Sequence, residues 1–146
     1  MQNIFKKIKL VAAIAFLFVT QINFAQQVDM ITDWPTAKVL ALKEQKQILV
    51  ILTGSEWCSP CKKMDKYVIN NTEFQNYAKK HLILFLIDLP GGGLFLNSKV
   101  YQNYETFKNK YESNALPSLI LTDYNGSKIK TLKGKMYKIK NVMQQL

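Results

Sequence analysis

Thr53-Gly54-Ser55-Glu56-Trp57-Cys58-Ser59-Pro60-Cys61-Lys62-Lys63-Met64 lies between two apolar runs, Ile48-Leu49-Val50-Ile51-Leu52-Thr53 and Leu82-Ile83-Leu84-Phe85-Leu86-Ile87-Asp88. Both runs are continuously apolar and rich in aliphatic or β-branched residues, the pattern of strands covered on both faces. Gly54 to Trp57 breaks the first strand, and the spacing of Lys62, Lys63, Met64 and Tyr67 predicts a helix that begins at the first cysteine. A polar break at Asn70-Asn71-Thr72 and a second helical piece, Glu73 to His81, lead into the second run. Two buried strands joined by helix make a parallel βαβ unit with a right-handed crossover.

Working outward, Val28 to Asp33 reads as a short lead-in, and Trp34-Pro35-Thr36 as a helix start with proline in the first turn. Ala37, Leu40 and Ala41 give that helix an apolar face. Pro90 and Gly91-Gly92-Gly93 open a loop from Asp88 to Ser98 that exceeds the usual connection. Its Leu94, Phe95 and Leu96 either line a partner site or fold back onto the core. A helix from Asn97 to Tyr111 stacks Val100, Tyr104, Phe107 and Tyr111 on one face. Leu116 to Thr122, the turn Asp123-Tyr124-Asn125-Gly126, and Lys128 to Leu132 read as an antiparallel hairpin, and a last helix starts near Lys135. The order α, β, α, β, α, β, β, α is that of an α/β domain with a mixed central sheet flanked by helices on both faces.

The first segment stands apart. Lys6, Lys7 and Lys9 precede ten apolar residues, Leu10 to Val19, and a small residue, Ala25, follows. That is the order of a secretory signal peptide. Ten apolar residues are too few for a hydrocarbon layer of roughly 30 Å. Residues 1–25 are therefore expected to be a cleaved leader and 26–146 the mature domain, periplasmic or otherwise exported. The leader carries three of the 20 lysines and none of the 10 acids, which leaves 17 against 10, a net +7. Every cation is Lys, and the chain has no Arg, whose planar fork reads phosphate and guanine. The basic stretch Lys128 to Lys140 alternates with Ile129, Leu132, Tyr137 and Ile139, as the wet face of a strand and a helix does. Nucleic acid is not an expected partner.

The chain has two cysteines, and two residues separate them. A zinc site wants about four ligands, and His81 is the only other soft one. A purely structural bridge is a weak reading, because so small a loop removes little entropy from the unfolded chain. In a redox role the pair divides labour: one thiolate attacks a partner's disulfide, and the other thiol resolves the mixed disulfide. Cys58, where strand gives way to helix, is the expected attacker, since unpaired backbone N–H groups favour its thiolate. Cys61, one turn inside, should be more buried. Trp57 would shield one side of the sulfur, and Pro60 in the first turn costs the helix no needed hydrogen bond.

Glu56-Trp57-Cys58-Ser59-Pro60-Cys61-Lys62-Lys63-Met64 resembles the active-site segment of the thioredoxin superfamily, and Thr53 to Met64 that of its small exported bacterial members. The likeness continues through Asp33-Trp34, Tyr101 to Tyr111, Leu116-Pro117-Ser118 and Asn125-Gly126, and so covers residues 33–146. It implies a thioredoxin-like fold in which Pro117 is a cis-proline packed against the disulfide and Leu116 offers backbone to a substrate strand. Two features depart from the pattern. Leu52 stands where many thioredoxins bury an acid that helps deprotonate the resolving thiol, so either Glu56 or water takes that role or resolution is slower; Glu56 reads more simply as a solvated loop residue. The long loop after Asp88 is the other.

The expected function is a disulfide reductase or isomerase acting on protein disulfides and kept reduced by a membrane-bound thiol donor. Ser59-Pro60 between the cysteines resembles the reducing members more than the His-containing oxidases. No cofactor beyond the Cys58–Cys61 disulfide, no metal, and a monomeric chain are expected. A copper(I) metallochaperone, with Met64 as the only extra soft ligand nearby, and a redox-silent interaction module are the alternatives.

Overall fold

The computed structural model describes residues 27–91 and 97–146. The expected leader and the Leu94–Leu96 portion of the long loop lie outside them. The two aliphatic runs are strands β2 (Gln47–Thr53) and β3 (Leu82–Asp88), paired in parallel from Gln47 opposite Leu82 to Thr53 opposite Asp88. Strand β4 (Ser118–Thr122) runs antiparallel to the other side of β2, and β5 (Lys128–Thr131) antiparallel to β4. A fifth strand, β1 (Met30–Ile31), pairs in parallel with the free edge of β3, so the sheet order is β1-β3-β2-β4-β5. β1 falls inside the stretch read above as a lead-in. Two residues carry no period to read, and only pairing with β3 makes them a strand.

All but the last helix start where a side chain can satisfy a free N–H group. In α1 (Trp34–Glu44), the Asp33 carboxylate accepts from Thr36 N at 2.9 Å and from the Thr36 hydroxyl at 2.6 Å. Those two bonds hold the Asp33 carboxyl below its usual range. Helix α2 (Ser59–Met64) passes directly into a π-helical stretch, Asp65–Ile69. Asn71 caps α3 (Thr72–His81), and Ser98 caps α4 (Lys99–Tyr111), which begins two residues later than its apolar pattern suggests. The last helix, α5 (Ile139–Met143), is shorter than expected and starts well after Lys135.

Alternation along the strands divides the interior into two layers. Leu49, Ile51, Leu84, Leu119 and Leu121 face Met64, Val68, Phe74, Ala78 and Val142, from α2, the π-helical stretch, α3 and α5. Ile48, Val50, Leu52, Phe85 and Ile120 face Ala37, Ala41, Phe107 and Tyr111, from α1 and α4. On α4 the buried face takes in Phe107 and Tyr111 but not Val100, which is exposed in the first turn. The Tyr111 hydroxyl, deep in the second layer, donates to Gly126 O at 2.9 Å, and burial pushes its pKa up to about 12. Gly126 has φ +86°, and a Cβ there would collide with the Trp34 ring, so the hairpin turn needs glycine. β5 is less regular than its sequence suggests: Ile129 is 48% exposed, and only the C-terminal end of the strand turns inward. Among the described residues no helix is long and apolar enough to cross a membrane.

Candidate active site

Parallel pairing brings the ends of β2 and β3 to one rim of the sheet, and the cysteines stand there. After Thr53 the chain turns at Gly54, whose carbonyl accepts from Trp57 N at 3.2 Å and Cys58 N at 2.9 Å. A Cβ at Gly54 would lie 2.6 to 2.9 Å from the indole ring of Trp57, so a side chain there would push the ring from its place. Glycine therefore lets Trp57 fold over the turn it ends.

Cys58 is the N-cap of α2. Its backbone is extended, its carbonyl accepts from Lys62 N at 3.1 Å, and its sulfur accepts from Cys61 N at 3.3 Å. The two sulfurs are bonded to each other, with the Cα atoms 5.2 Å apart. The partners differ in access: Cys58 is 7% exposed and Cys61 0%. A reagent from solvent therefore meets Cys58 first. Ser59 and Pro60 are exposed on the first turn, where proline's missing N–H leaves no gap in the helix ladder. Trp57 is 53% exposed, with its indole N–H donating to Leu89 O at 2.9 Å.

The Leu116–Pro117 peptide bond is cis, as the resemblance implies. Because Ser118 pairs with Leu52, this bond sits beside the end of β2, at the same rim as the cysteines. Its loop is held from within: the Ser113 hydroxyl donates to Ser118 Oγ at 2.6 Å, and the Ser118 hydroxyl to Ala115 O at 2.5 Å. Leu116 is half-buried against the second layer. Leu52 is fully buried in that same layer, among apolar neighbours. Glu56 is exposed and accepts from Gly91 N at 3.1 Å, so it ties down the chain leaving β3.

The fold thus gathers Glu56, Trp57, Cys58, Ser59, Pro60, Cys61, Leu116 and Pro117 at one end of the sheet. It adds two residues that the sequence reading passed over. Asp88, the last residue of β3, accepts from Ser55 N at 2.8 Å, and from the Ser55 hydroxyl. A lone acid closing an otherwise apolar run was the available signal. Met64, the extra soft ligand a copper site would need, is buried in the first layer. Among the described residues, no three His, Cys, Asp or Glu side chains cluster as metal ligands.

The family model described as a thioredoxin-like domain matches residues 34–146. A disulfide bond reductase, DsbH, of Chlamydia pneumoniae is 29% identical over 87 residues, 60% of this chain and 52% of the relative. The chain thus aligns with about half the length of that relative. A solved DsbH oxidoreductase has a TM-score of 0.68 at 24% identity, covering 80% of this chain and 78% of the other. A Thermus thermophilus thioredoxin has a TM-score of 0.62 at 10% identity, covering 82% and 85%. At such identities these two structures speak for the fold alone.

Proposed function

This chain belongs to the thioredoxin-like domain family, and on that premise we propose that it is an exported disulfide reductase working through Cys58 and Cys61. The observation that carries the reading is the asymmetry of the pair: Cys58 at the helix N-cap with some access, Cys61 with none. In the dithiol form the Cys58 thiolate attacks one sulfur of a partner disulfide. A Cys58–partner bond forms and the partner's other sulfur leaves as a thiolate. Cys61 then loses its proton and attacks Cys58 Sγ, which forms the Cys58–Cys61 disulfide and releases the partner with both thiols reduced. A membrane-bound dithiol donor restores the pair by the reverse exchange, so two electrons pass from donor to substrate. The Cys61 N–H that points at Cys58 Sγ stabilises charge on that sulfur.

Trp57, half exposed at the rim, and the Leu116–Pro117 loop beside it would form the surface against which a substrate strand lies. The name of the Chlamydia relative supports the reducing direction, and Ser59-Pro60 between the cysteines agrees with it. With Leu52 buried among apolar side chains, no carboxylate stands at that position, and the proton from Cys61 goes to water. The leader and export rest on the order of residues 1–25. The test is trapping: Cys61→Ser should accumulate partner proteins disulfide-linked to Cys58 in the native host, and Cys58→Ser should accumulate few. Recovery of no linked protein with Cys61→Ser would remove the basis of the proposal.

A further inference from the structure

The turn that carries Cys58 is stitched to the chain leaving β3. Leu89 N donates to Thr53 O at 2.9 Å, the indole of Trp57 to Leu89 O, and Gly91 N to Glu56. Both polar groups of Ser55, backbone N–H and hydroxyl, converge on the Asp88 carboxylate. These ties are not equal. The Gly91–Glu56 bond is exposed, so water competes for it; the Trp57–Leu89 and Ser55–Asp88 bonds are part-buried, and of these only the two from Ser55 end on a charged acceptor.

We propose that Asp88 is a positioning residue for the reactive thiol: gripping Ser55 twice, it keeps the Gly54–Cys58 turn in the shape that aims Cys58 Sγ at the Cys61 amide once the disulfide is open. In the oxidised form the S–S bond itself fixes Cys58 against Cys61. Reduction removes that bond, and the weak N–H to sulfur contact at 3.3 Å cannot hold the turn alone. Gly54, at the hinge, has no side chain to restrict it. The grip from β3, which is paired with β2 on one side and β1 on the other, then keeps the amide in register with the sulfur. Asp88 makes no hydrogen bond to either cysteine, so it acts through Ser55. Its negative charge near the turn would by itself disfavour a thiolate. Grip and charge therefore push in opposite directions, and substitution separates them.

The inference rests on Cys58 being the attacking thiol of the proposed reductase, and the experiment follows the thiol itself. The rate of Cys58 alkylation in the reduced full chain is measured against pH, with thermal unfolding as a check that each variant is folded. Asp88→Ala should slow alkylation below neutrality by about threefold or more, because the thiolate loses its aimed N–H. Asp88→Asn keeps a carbonyl oxygen for Ser55 N–H and drops the charge, so it should react at least as fast as the unaltered chain. An unchanged profile for Asp88→Ala, or equal slowing in both variants, overturns the proposal. Should Asp88→Ala not fold, Ser55→Ala removes one of the two bonds and should slow alkylation less but in the same direction; no slowing there overturns it equally. If the unaltered chain reduces no protein disulfide, the reductase reading fails while the alkylation comparison still stands.

Discussion

From Ile48 to Leu52, β2 is closed off from water by apolar neighbours on both faces, whereas in the turn that follows, Ser55, Glu56 and Trp57 hold their places by hydrogen bonds and stay partly or fully exposed. The first region is stabilised by area removed from water, a force with no direction. The second is stabilised by bonds with strict geometry and small net worth, each about 1 kcal/mol when made but costly when a buried partner is orphaned. The site proposed to open and close a disulfide sits on the second kind of support, bolted to the first.

The largest effect that sharpens this contrast comes from the strand interior. Leu84→Ala, which hollows a fully buried position of β3, should cost about 2–5 kcal/mol in denaturant unfolding. Below the transition it should leave the rate of Cys58 alkylation nearly unchanged. A variant that stays folded yet loses its reactive thiol would show that core and rim are not separable.

Next comes the hydrogen bond inside the core rather than at the rim, from Tyr111 to Gly126. The folded Tyr111 pKa is raised from 10.0 to about 12 by burial. A raised pKa means the folded state holds the proton more tightly, so the contribution is complete below pH 10 and is lost as pH rises towards about 12. Stability measured against pH should fall in that window, and Tyr111→Phe should flatten the fall. An equal fall in Tyr111→Phe would assign it to other groups.

The smallest effect belongs to the loop of the cis-proline. Ser113→Ala removes the donor to Ser118 Oγ and should cost about 1 kcal/mol of stability. It should raise KM for a protein disulfide while leaving Cys58 alkylation as it was, because Ser113 supports the loop proposed to face substrate and not the thiol. Slower alkylation in Ser113→Ala would instead join the two loops into one unit.

The same contrast explains what could be read from the chain. Ile48–Thr53 and Leu82–Asp88 declare themselves as buried strands because burial on both faces leaves a continuous apolar run. The cysteine pair and Pro117 are legible because the proposed chemistry needs those residue types in fixed places, and the disulfide and the cis bond stand there. The grip of Asp88 on Ser55 joins residues 33 apart in sequence, and no local pattern announces it. β1 exists only through its pairing with β3, and nothing in Asp65–Ile69 marks a π-helical stretch. Val100 continues the periodicity of α4, yet burial on that helix involves Phe107 and Tyr111, nearer its C-terminal end. Directional and long-range contacts escape a reading built on period and residue type.

The most direct test of the reductase reading is the reduction potential of the Cys58–Cys61 pair in the chain lacking residues 1–25, equilibrated against glutathione of known ratio. A donor of electrons to protein disulfides should lie near thioredoxin, about −270 mV. A value near −120 mV, that of a strong oxidant, would reverse the direction of electron flow and contradict the account.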